Sequence, residues 1–315
     1  MIKVFIIVLN FRGSNDTKEC IHSILSSSYK NYEIIVVDNF SGDGSVPAIK
    51  EAFPDITILE TESNLGYAGG NNVGIKHALE KDADAVLVLN NDTVLAKNCL
   101  KEFVKASSQF PNSALGGRVY YYDEPEVLQH FGGMWNKKKG KFINVPNQKF
   151  DPNLPQNLDF VTGCALFIPR KILEEVGLFE ESFFLYYEEI DWCFQVRKKG
   201  FFCTYVPTPV LWHKESRSFV SPKPPQSYFQ WRNRILFIKR NLSKKEHLIW
   251  LLTKLPRRFL LLLIKWLVKK IDALFLGDSP KKQVSRLSYK ASIRGVIDYF
   301  RGAFGKGPSW IYLKK

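Results

Sequence analysis

Short runs of apolar residues punctuate the first third of the chain. They occupy residues 2–9, 33–37, 56–60 and 85–89, and they are rich in Ile, Val and Leu. Apolar runs of this length are typical of strands that are buried on both faces. The pattern therefore predicts four strands of a covered, parallel sheet.

Helical patterns separate these runs. Amphipathic segments predict helices in "DTKECIHSIL", near residues 46–53, in "NNVGIKHALEK" after a glycine-rich loop, and in "AKNCLKEFVKAS". In the first helix, Asp16 is the expected N-cap and Glu19 completes a capping box. Strands that alternate with helices in this way predict an α/β fold, with helices on both faces of a mostly parallel sheet.

The regular alternation ends after Tyr120. "RVYYYDEPEVLQHFGGMWNKKKGKF" predicts a hairpin or an irregular excursion, "YYEEIDWCFQVRKKG" a helix that stops at Gly200, and "FFCTYVPTPVLWHKESRS" two short strands. A proline-rich linker, "SPKPPQS", precedes a helical, apolar and basic region. We therefore predict a first domain at residues 1–226 and a helical C-terminal appendage at residues 227–315.

Charge narrows the choice of partner. The 315 residues carry a net charge of +14, which favours an anionic partner such as a nucleic acid, an acidic membrane surface or a phosphorylated substrate. Nucleic acid is disfavoured because the chain has no recognised reader motif and its charge is concentrated late. The five cysteines form no CxxC pair, so neither a zinc site nor a disulfide framework is indicated, and a reducing cytosol fits.

Polar residues follow three of the four predicted strands. Asn10 ends the first strand, Asp38 and Asn39 end the second, and Asn90–Asn91–Asp92 ends the fourth. Ligands of parallel α/β sheets bind at the carboxyl ends of the strands, so this edge is the predicted ligand site. Asp92 suits a hard cation, and Asn90 suits a water or a sugar hydroxyl; the alternative is an Asx turn that caps the next helix.

Three further groups are candidates for chemistry. The small residues of "SNLGYAGGNNVG", among them Gly66 and Gly69, would let backbone amides approach a phosphate or sugar, or they form a tight turn. Glu188, Glu189 and Asp191 crowd the start of a helix, where they stabilise the helix dipole or supply a general base of raised pKa. His213 gains weight as a ligand only where it faces Asp92.

The ordered motifs resemble family 2 glycosyltransferases, in particular the bacterial rhamnosyltransferase-like branch. They are "VLNFRGSNDTKECIHSIL", "IIVVDNFSGDGS", "NLGYAGGNNVGI", "VLVLNNDTVL", "VTGCALFIPRKILEEVGLFEESFFLYYEEIDWCFQVRKKG" and "WHKESRS", and the resemblance covers residues 2 to 240. The resemblance implies a GT-A fold, a nucleotide-diphosphate-sugar donor, Mg²⁺ or Mn²⁺, and an inverting mechanism.

The resemblance also implies roles for particular residues. The residues that would contact the nucleotide sugar are Asn10, Asp38, Asn39, Gly66, Gly69, Asn71 and Asn91. Where the family has Asp-x-Asp, this chain has Asn90–Asn91–Asp92, so Asp92 is the implied principal metal ligand, with Asn90 and His213 completing the metal or diphosphate contacts.

The acidic motif carries over with two departures. The family's usual base, the second acid of a Glu-Asp pair, matches Glu189, with Glu188 before it and Asp191 as an alternative. The arginine that commonly follows is Gln195 here, with Arg197 nearby, which puts one phosphate or acceptor contact in doubt.

The leading hypothesis is an inverting glycosyltransferase that acts in cell-surface polysaccharide synthesis, with dTDP-rhamnose as the expected donor and a glycan or lipid-linked acceptor. A sugar-nucleotide pyrophosphorylase is the alternative enzyme, but "NFRGSND" lacks the glycine- and arginine-rich phosphate loop that it needs. A non-catalytic membrane-surface binding protein is the other alternative, and it leaves the carboxylates unexplained.

The C-terminal region predicts a surface helix. No run of about 18 apolar residues occurs, so no spanning helix is expected, and the N-terminal run is too short for a signal peptide. Pro256 is the expected helix start, and Arg258, Lys265 and Lys269 share one side beside a wide apolar face. The pattern favours a cytoplasmic protein attached peripherally to the anionic inner face of the cell membrane; the alternative is packing on the first domain or on a second subunit, as in a homo-oligomer.

Overall fold

The computed structural model describes residues 1–129, 131–136, 140–145, 150–214, 223–275, 277 and 279–312. These residues form two compact units: residues 1–179 with 192–217, and residues 180–191 with 218–315. The second unit therefore includes a short segment that precedes the last strand in the sequence. The predicted domain limits, 1–226 and 227–315, stay a prediction.

The first unit is built on a nine-stranded mixed sheet, accompanied by a three-stranded sheet. Its strands are β1 (Val4–Asn10), β2 (Tyr32–Asp38), β3 (Thr57–Glu60), β4 (Ala85–Asn90), β5 (Thr93–Leu95), β6 (Ser113–Tyr121), β7 (Gly132–Asn136), β8 (Lys141–Val145), β9 (Gln156–Leu158), β10 (Phe160–Val161), β11 (Ala165–Pro169) and β12 (Phe202–His213). The order in the large sheet is β3-β2-β1-β4-β11-β6-β12-β5, with β9 beside β12. β10, β7 and β8 form the small sheet, so the predicted hairpin is present as β7–β8.

The predicted fold class is confirmed. β1 to β4 are mutually parallel, and β11 runs antiparallel between β4 and β6. The helices are α1 (Ser14–Leu25), α2 (Ser45–Ala52), α3 (Gly66–Glu80), α4 (Cys99–Gln109), α5 (Arg170–Val176), α6 (Glu188–Lys198), α7 (Pro224–Asn241), α8 (Lys244–Ile249), α9 (Leu255–Phe275) and α10 (Pro280–Phe300). The side chains of Val4, Phe5, Ile6, Ile7 and Val8 in β1 are all buried, as expected for a strand covered on both faces.

α1 and α3 cover opposite faces of β1. Successive side chains of a strand point to opposite faces. Ile6 and Val8 belong to the same core as the buried face of α1, whereas Ile7 and Leu9 meet α3. A methyl group at Gly70 would collide with Leu9, and one at Gly74 would collide with Ile7. These two glycines therefore let α3 lie close to the sheet.

The start of α3 differs from the prediction. The helix begins at Gly66 rather than at Asn71, so the glycine-rich segment lies inside the helix and does not form a loop before it. Close packing of Gly70 and Gly74 on β1 stabilises a helix that the intrinsic propensity of glycine disfavours. Gly66 itself has a φ of 72°, a conformation that side chains rarely adopt.

The predicted capping box of α1 is wrong. The residue before the helix is Gly13, and no side chain caps the helix. Asp16 and Glu19 instead bind the Lys214 ammonium group, at 2.6 Å and 2.7 Å. The Lys214 ammonium group therefore takes the place that the helix N–H groups have in the predicted capping box.

Two further elements differ from the prediction. β12 is one strand of 12 residues rather than two short ones, with a change of register between Tyr205 and Val210. The described part of the predicted linker is helical, because Pro224 is the first residue of α7; Ser221 and Pro222 lie outside the described residues. Proline fits there because the first helical N–H has no partner within the helix.

The second unit is helical, and α7 packs against α10. Gly295 of α10 lies against the backbone carbonyl of Tyr228, where a Cβ atom would collide with it. Pro256 does not start a helix: α8 continues through a π-helical turn, Trp250–Lys254, into α9. None of the helices in the described part of the chain is long and apolar enough to cross a membrane.

Candidate functional site

The ends of β1, β2 and β4 are neighbours in the sheet. Asn10 pairs in register with Asp38, and Leu9 pairs with Asn90, so the polar residues after these strands meet at one edge. The Asn10 amide donates to Asp38 Oδ1 (2.6 Å), and Thr17 Oγ1 donates to Asn10 Oδ1 (2.8 Å). The sequence correctly brought Asn10 and Asp38 together, and their side chains hold each other in place.

Asn39 fixes the start of α3. Its amide nitrogen donates to the Gly66 carbonyl at 3.0 Å, and its Oδ1 accepts from the Leu65 N–H at 2.9 Å. Asn71, one turn into α3, is fully buried; its amide nitrogen donates to the Tyr67 carbonyl. Within the described chain Asn71 Oδ1 has no hydrogen-bond partner, which leaves one polar acceptor open beside Gly69 and Gly70.

Asp92 and His213 face each other. Asp92 lies in the turn between β4 and β5, and β12 pairs with β5 so that His213 is opposite Thr93. His213 Nε2 lies 3.2 Å from Asp92 Oδ1 and 3.5 Å from the Asn90 amide nitrogen. His213 therefore faces Asp92, which is the arrangement in which it could act as a ligand.

The pKa of Asp92 is set by its surroundings. Burial would raise the pKa of Asp92, but the hydrogen bond and charge of His213 outweigh it and hold that pKa below its usual value. On the other side of the ring, His213 Nδ1 lies 3.0 Å from Oε1 of the buried Gln129. Nδ1 of His213 can donate to Gln129, which leaves Nε2 facing Asp92, where it could bind a cation.

The donor set fits Mg²⁺ or Mn²⁺. Asp92 offers a carboxylate, His213 offers Nε2, and Asn90 Oδ1 is buried without a hydrogen-bond partner among the described residues. These cations accept such oxygen and nitrogen ligands, and Mg²⁺ usually takes few ligands from the protein and the rest from water and phosphate. No group of three or more His, Cys, Asp or Glu side chains suited to a metal occurs in the described ranges, so substrate oxygens would have to complete the shell.

Asn91 has a structural contact of its own. Its amide donates to Thr17 Oγ1 at 3.0 Å, and Thr17 in turn binds Asn10. Next to it, the Gly13 Cα approaches the Asn91 side chain so closely that a Cβ atom there would collide. Asn91 thus connects the turn that carries Asp92 to the N-terminus of α1.

The acids of the second candidate cluster lie in the helical unit, at the start of α6. Glu188 is buried and Glu189 is partly buried, and Oε2 of each has no hydrogen-bond partner in the described part of the chain. Burial, and after it the negative charge of Glu189, raises the pKa of Glu188 well above its ordinary value. Burial also raises the pKa of Glu189. Buried carboxyl groups of raised pKa, each with one oxygen that has no hydrogen-bond partner among the described residues, have the character of proton acceptors for catalysis.

The carboxylate of Asp191 differs from those of Glu188 and Glu189 because side chains of α7 bind it. It accepts two hydrogen bonds from Arg240 Nε, at 3.1 Å and 3.2 Å, and one from the Asn241 amide at 2.5 Å. Arg240 also binds Glu180 at 2.7 Å. A carboxylate held by an arginine and an amide is a poor proton acceptor, because its charged form is already stabilised. The geometry therefore argues against Asp191 as the base.

Arg197 is also paired. Its guanidinium group lies 2.5 Å from Asp159 Oδ1 and packs over the Phe194 ring. The arginine near the position of Gln195 thus has a structural contact in the first unit.

Several residues of these clusters were not predicted from the sequence. Gln129 and Thr17 carry no motif, and Arg240 is 49 positions from its partner Asp191. Lys214 had one signal: it follows His213 directly, and it binds Asp16 and Glu19 of α1. Within the first unit the structure assembles Asn10, Asp38, Asn39, Asn90, Asn91, Asp92 and His213; within the second it assembles Glu188, Glu189 and Asp191.

Comparison with known proteins gives a consistent picture. Residues 4–177 match the family described as Glycosyl transferase family 2. The "Low-salt glycan biosynthesis hexosyltransferase Agl10" of Haloferax volcanii is 28% identical over 200 residues, which are 62% of this chain and 62% of the relative. The chain therefore spans less than two thirds of that relative's length.

A second relative and one solved structure extend the comparison. The "N-acetylglucosaminyl-diphospho-decaprenol L-rhamnosyltransferase" of Mycobacterium tuberculosis is 24% identical over 241 residues, covering 69% of this chain and 76% of the relative. The crystal structure of "GalNAc-T7 with UDP, GalNAc and Mn2+" superposes with a TM-score of 0.61 at 14% identity, over 96% of this chain and 56% of that one. At this identity the structural match supports the fold.

Proposed function

This chain belongs to glycosyl transferase family 2, and we propose that it is an inverting, metal-dependent glycosyltransferase that acts on a nucleotide-diphosphate sugar. One observation carries the proposal above the others. Asp92, His213 and the unpartnered oxygen of Asn90 converge at the carboxyl edge of the sheet, where α/β folds bind nucleotides. The donor sugar that we propose is rhamnose, the sugar in the name of the mycobacterial relative, and we propose that it is carried on dTDP, as the resemblance to the rhamnosyltransferase-like branch implies.

The donor end of the reaction needs charge compensation. A divalent cation bound at Asp92, His213 and Asn90 would neutralise the departing diphosphate. Asp38, Asn39 and Asn10 would contact the base and ribose, and the amides and small side chains of Gly66, Gly69, Asn71 and Asn91 would line the rest of the donor site.

The acceptor end needs a base. A sugar hydroxyl has a pKa far above neutrality, so a carboxylate must take its proton as it attacks the anomeric carbon. We assign this role to Glu189, which is more accessible than the buried Glu188. Burial and the charge of Glu189 raise the pKa of Glu188 well above its ordinary value, so we expect Glu188 to hold a proton more tightly than Glu189 does. Attack opposite the leaving group inverts the anomeric centre without an enzyme nucleophile.

A donor panel tests the proposed activity. The chain is incubated with Mn²⁺ and dTDP-rhamnose, UDP-galactose, UDP-N-acetylglucosamine or GDP-mannose, and release of the nucleoside diphosphate is measured. We expect dTDP-rhamnose to turn over fastest. Preference for another donor would change the sugar assignment, and release of sugar 1-phosphate upon addition of pyrophosphate would indicate a pyrophosphorylase.

The proposed acceptor is a glycan or lipid-linked saccharide at the inner face of the cell membrane, reached by peripheral attachment through α9. Eight large apolar side chains of α9 are exposed: Leu260, Leu261, Ile264, Leu267, Val268, Ile271, Leu274 and Phe275. At 100° per residue they fall within an arc of about 140° of the helix circumference. Leu255 and Leu262, which are buried, lie on the opposite side.

Cations border this apolar arc. Arg258, Lys265 and Lys269 follow one edge of it, in the stripe expected from the sequence. Because the arc is exposed, packing against the described residues of this chain does not explain it. An apolar face edged by basic side chains fits a lipid surface of negative charge, where each Lys or Arg contributes about 1 kcal/mol.

Liposome sedimentation tests the membrane surface. We expect Leu267→Ser with Ile271→Ser to reduce binding to vesicles that contain anionic lipid by at least about tenfold, because the apolar face loses two inserted side chains. The matched control is Leu154→Ser with Ile143→Ser, which removes two exposed apolar side chains of the first unit. Binding of the wild type should fall with salt, and equal binding of both double variants would rule α9 out as the anchor.

A further inference from the structure

The backbone directly before Glu188 adopts a strained conformation. Phe184, Tyr186 and Tyr187 have φ angles of 64°, 66° and 80°, although none of them is glycine. Such a conformation is unfavourable for a residue with a side chain and persists only where the surroundings impose it. Three of them within four positions indicate that this segment, residues 183–187, is held by something outside itself.

Asn233 on α7 holds it. The Asn233 side chain is fully buried, and its amide nitrogen donates to the carbonyl groups of Phe183 (2.8 Å), Leu185 (2.8 Å) and Tyr186 (2.7 Å). A regular helix or strand would not point three carbonyl groups from four consecutive residues at one amide nitrogen. One amide group therefore dictates the path of the chain.

Arg232 orients that amide. Arg232 Nε donates to Asn233 Oδ1 at 2.9 Å, which places the nitrogen of the amide toward the segment. Its terminal nitrogens donate to the carbonyls of Ser182 (3.2 Å) and Phe183 (2.8 Å) and to that of Gly305 (2.7 Å). Arg232 is itself fully buried, and burial lowers its pKa.

The side chains of the segment are anchored as well. The Phe184 ring stacks on Phe229 with centroids 5.5 Å apart, and the Tyr187 ring lies 5.8 Å from Phe237. Arg234 donates to the Tyr187 hydroxyl at 3.2 Å. α7 thus contacts the segment along its whole length, and Arg240 binds Glu180 and Asp191 on either side of it.

Burying a guanidinium group and an amide costs free energy of desolvation, which their hydrogen bonds must offset. An apolar core would stabilise two packed helices equally well. Here the Asn233 amide donates to three of the five residues that lead into the acid pair, and Arg232 orients that amide and also donates to Phe183. We propose that Asn233, oriented by Arg232, is a positioning residue that fixes residues 183–187 and thereby places the carboxyl groups of Glu188 and Glu189 for proton transfer. The inference rests on the proposed function, in which one of these acids is the base.

Asn233→Asp tests the role of the amide. The substitution keeps the size of the side chain and the oxygen that accepts from Arg232, but it removes the donor to the three carbonyls. We expect kcat for transfer to fall at least about tenfold while KM for the donor changes less than about twofold. The acid limb of the pH profile should move to lower pH, because a loosened segment exposes the acids to water and lowers their pKa values.

The sign of this shift is informative. Among the described residues, the charged groups that contact the segment or flank it include Arg232, Arg234, Arg240, Arg258, Glu180, Glu181 and Asp191, and the variant replaces none of them. A new carboxylate at position 233 would by itself raise the pKa of neighbouring acids. A fall in the pKa therefore reports a change of position rather than the added charge.

Asn72→Asp is the matched control. Asn72 is a buried asparagine of the first unit whose amide donates to the Phe179 carbonyl at 2.9 Å. Its replacement also removes a buried donor, so we expect a lower melting temperature but no movement of the acid limb. If Asn233→Asp does not yield folded protein, Asn233→Ser, which keeps one donor, takes its place.

Carboxyl NMR separates failure of this inference from failure of the proposed function. The Glu188 and Glu189 resonances of ¹³C-labelled protein are assigned through Glu188→Gln and Glu189→Gln, and they are titrated with and without the Asn233 substitution. A downward pKa shift in a chain that transfers no sugar would keep the positioning role and refute the glycosyltransferase assignment. Unchanged titrations, with kcat reduced only in proportion to unfolded protein, would overturn the positioning role.

Discussion

Asp92→Ala is expected to reduce metal-dependent glycosyl transfer by roughly 10²–10³-fold or more while the chain stays folded. The magnitude is typical for removing one stabiliser of developing negative charge. Asp92 is the carboxylate among the three proposed ligands, so its loss leaves two neutral donors, His213 and Asn90. The fold should survive because the Asp92 side chain is about one-third exposed, at 36%, and lies in a turn.

Metal affinity is the second readout for Asp92. We expect titration with Mn²⁺ in the presence of dTDP to show tight binding to the wild type and weak binding to Asp92→Ala. Asp92→Asn, which keeps the shape of the side chain, should behave like the alanine variant because the charge is what matters. Asp55→Ala removes an exposed acid of the same unit and is the control. Full turnover of Asp92→Ala at saturating Mn²⁺ would refute the metal assignment.

Four parallel strands, and one edge that gathers the polar residues after them, were predictable from the sequence. Apolar runs at β1, β2 and β4 mark buried strands, and the polar residues after them lie on one edge because parallel strands end together. His213 is 121 positions from Asp92, and no local sequence pattern predicts that the two side chains are in contact. The contact exists because β12 pairs with the three-residue strand β5, which is too short to predict.

Other features depend on tertiary contacts that no local pattern contains. Glycine at positions 66, 69 and 70 predicts a loop by propensity, but the structure places all three in α3, where Gly70 packs closely on β1. Asp191 is indistinguishable from its acidic neighbours in the sequence, and only its contact with Arg240 separates it from them. The positive φ angles before Glu188 follow from Asn233, 46 positions after Tyr187.

Glu189→Gln and Glu188→Gln are expected to differ in activity and in stability. Glu189→Gln should lower kcat by roughly 10²-fold or more with little change in donor affinity, as loss of a general base does. Glu188→Gln should retain more activity, because glutamine resembles the protonated acid that we expect at this position near neutrality. Initial rates at saturating donor across pH 5–9 measure both effects.

The stability of the two variants reports the same pKa shifts independently of activity. A carboxyl group whose pKa is raised in the folded state binds its proton more tightly there than in the unfolded chain. The wild type therefore loses stability as pH rises through the raised pKa, and it keeps that contribution below the ordinary value. Glu188→Gln has no proton to lose, so its melting temperature should exceed that of the wild type at pH 8 by about 2–4 °C for each kcal/mol of ionisation cost.

This difference in melting temperature should shrink toward zero at pH 4, where Glu188 is protonated in both states. Asp191→Asn gives the opposite sign, because it breaks the contact with Arg240: it should lower the melting temperature near neutrality. If Asp191→Asn instead loses turnover 10²-fold with an unchanged melting temperature while Glu189→Gln remains active, the base is Asp191 and the assignment to Glu189 is wrong. The order of these variants in rate and in stability therefore distinguishes three neighbouring acids: Glu189 as the base, Glu188 as the protonated neighbour, and Asp191 as the partner of Arg240.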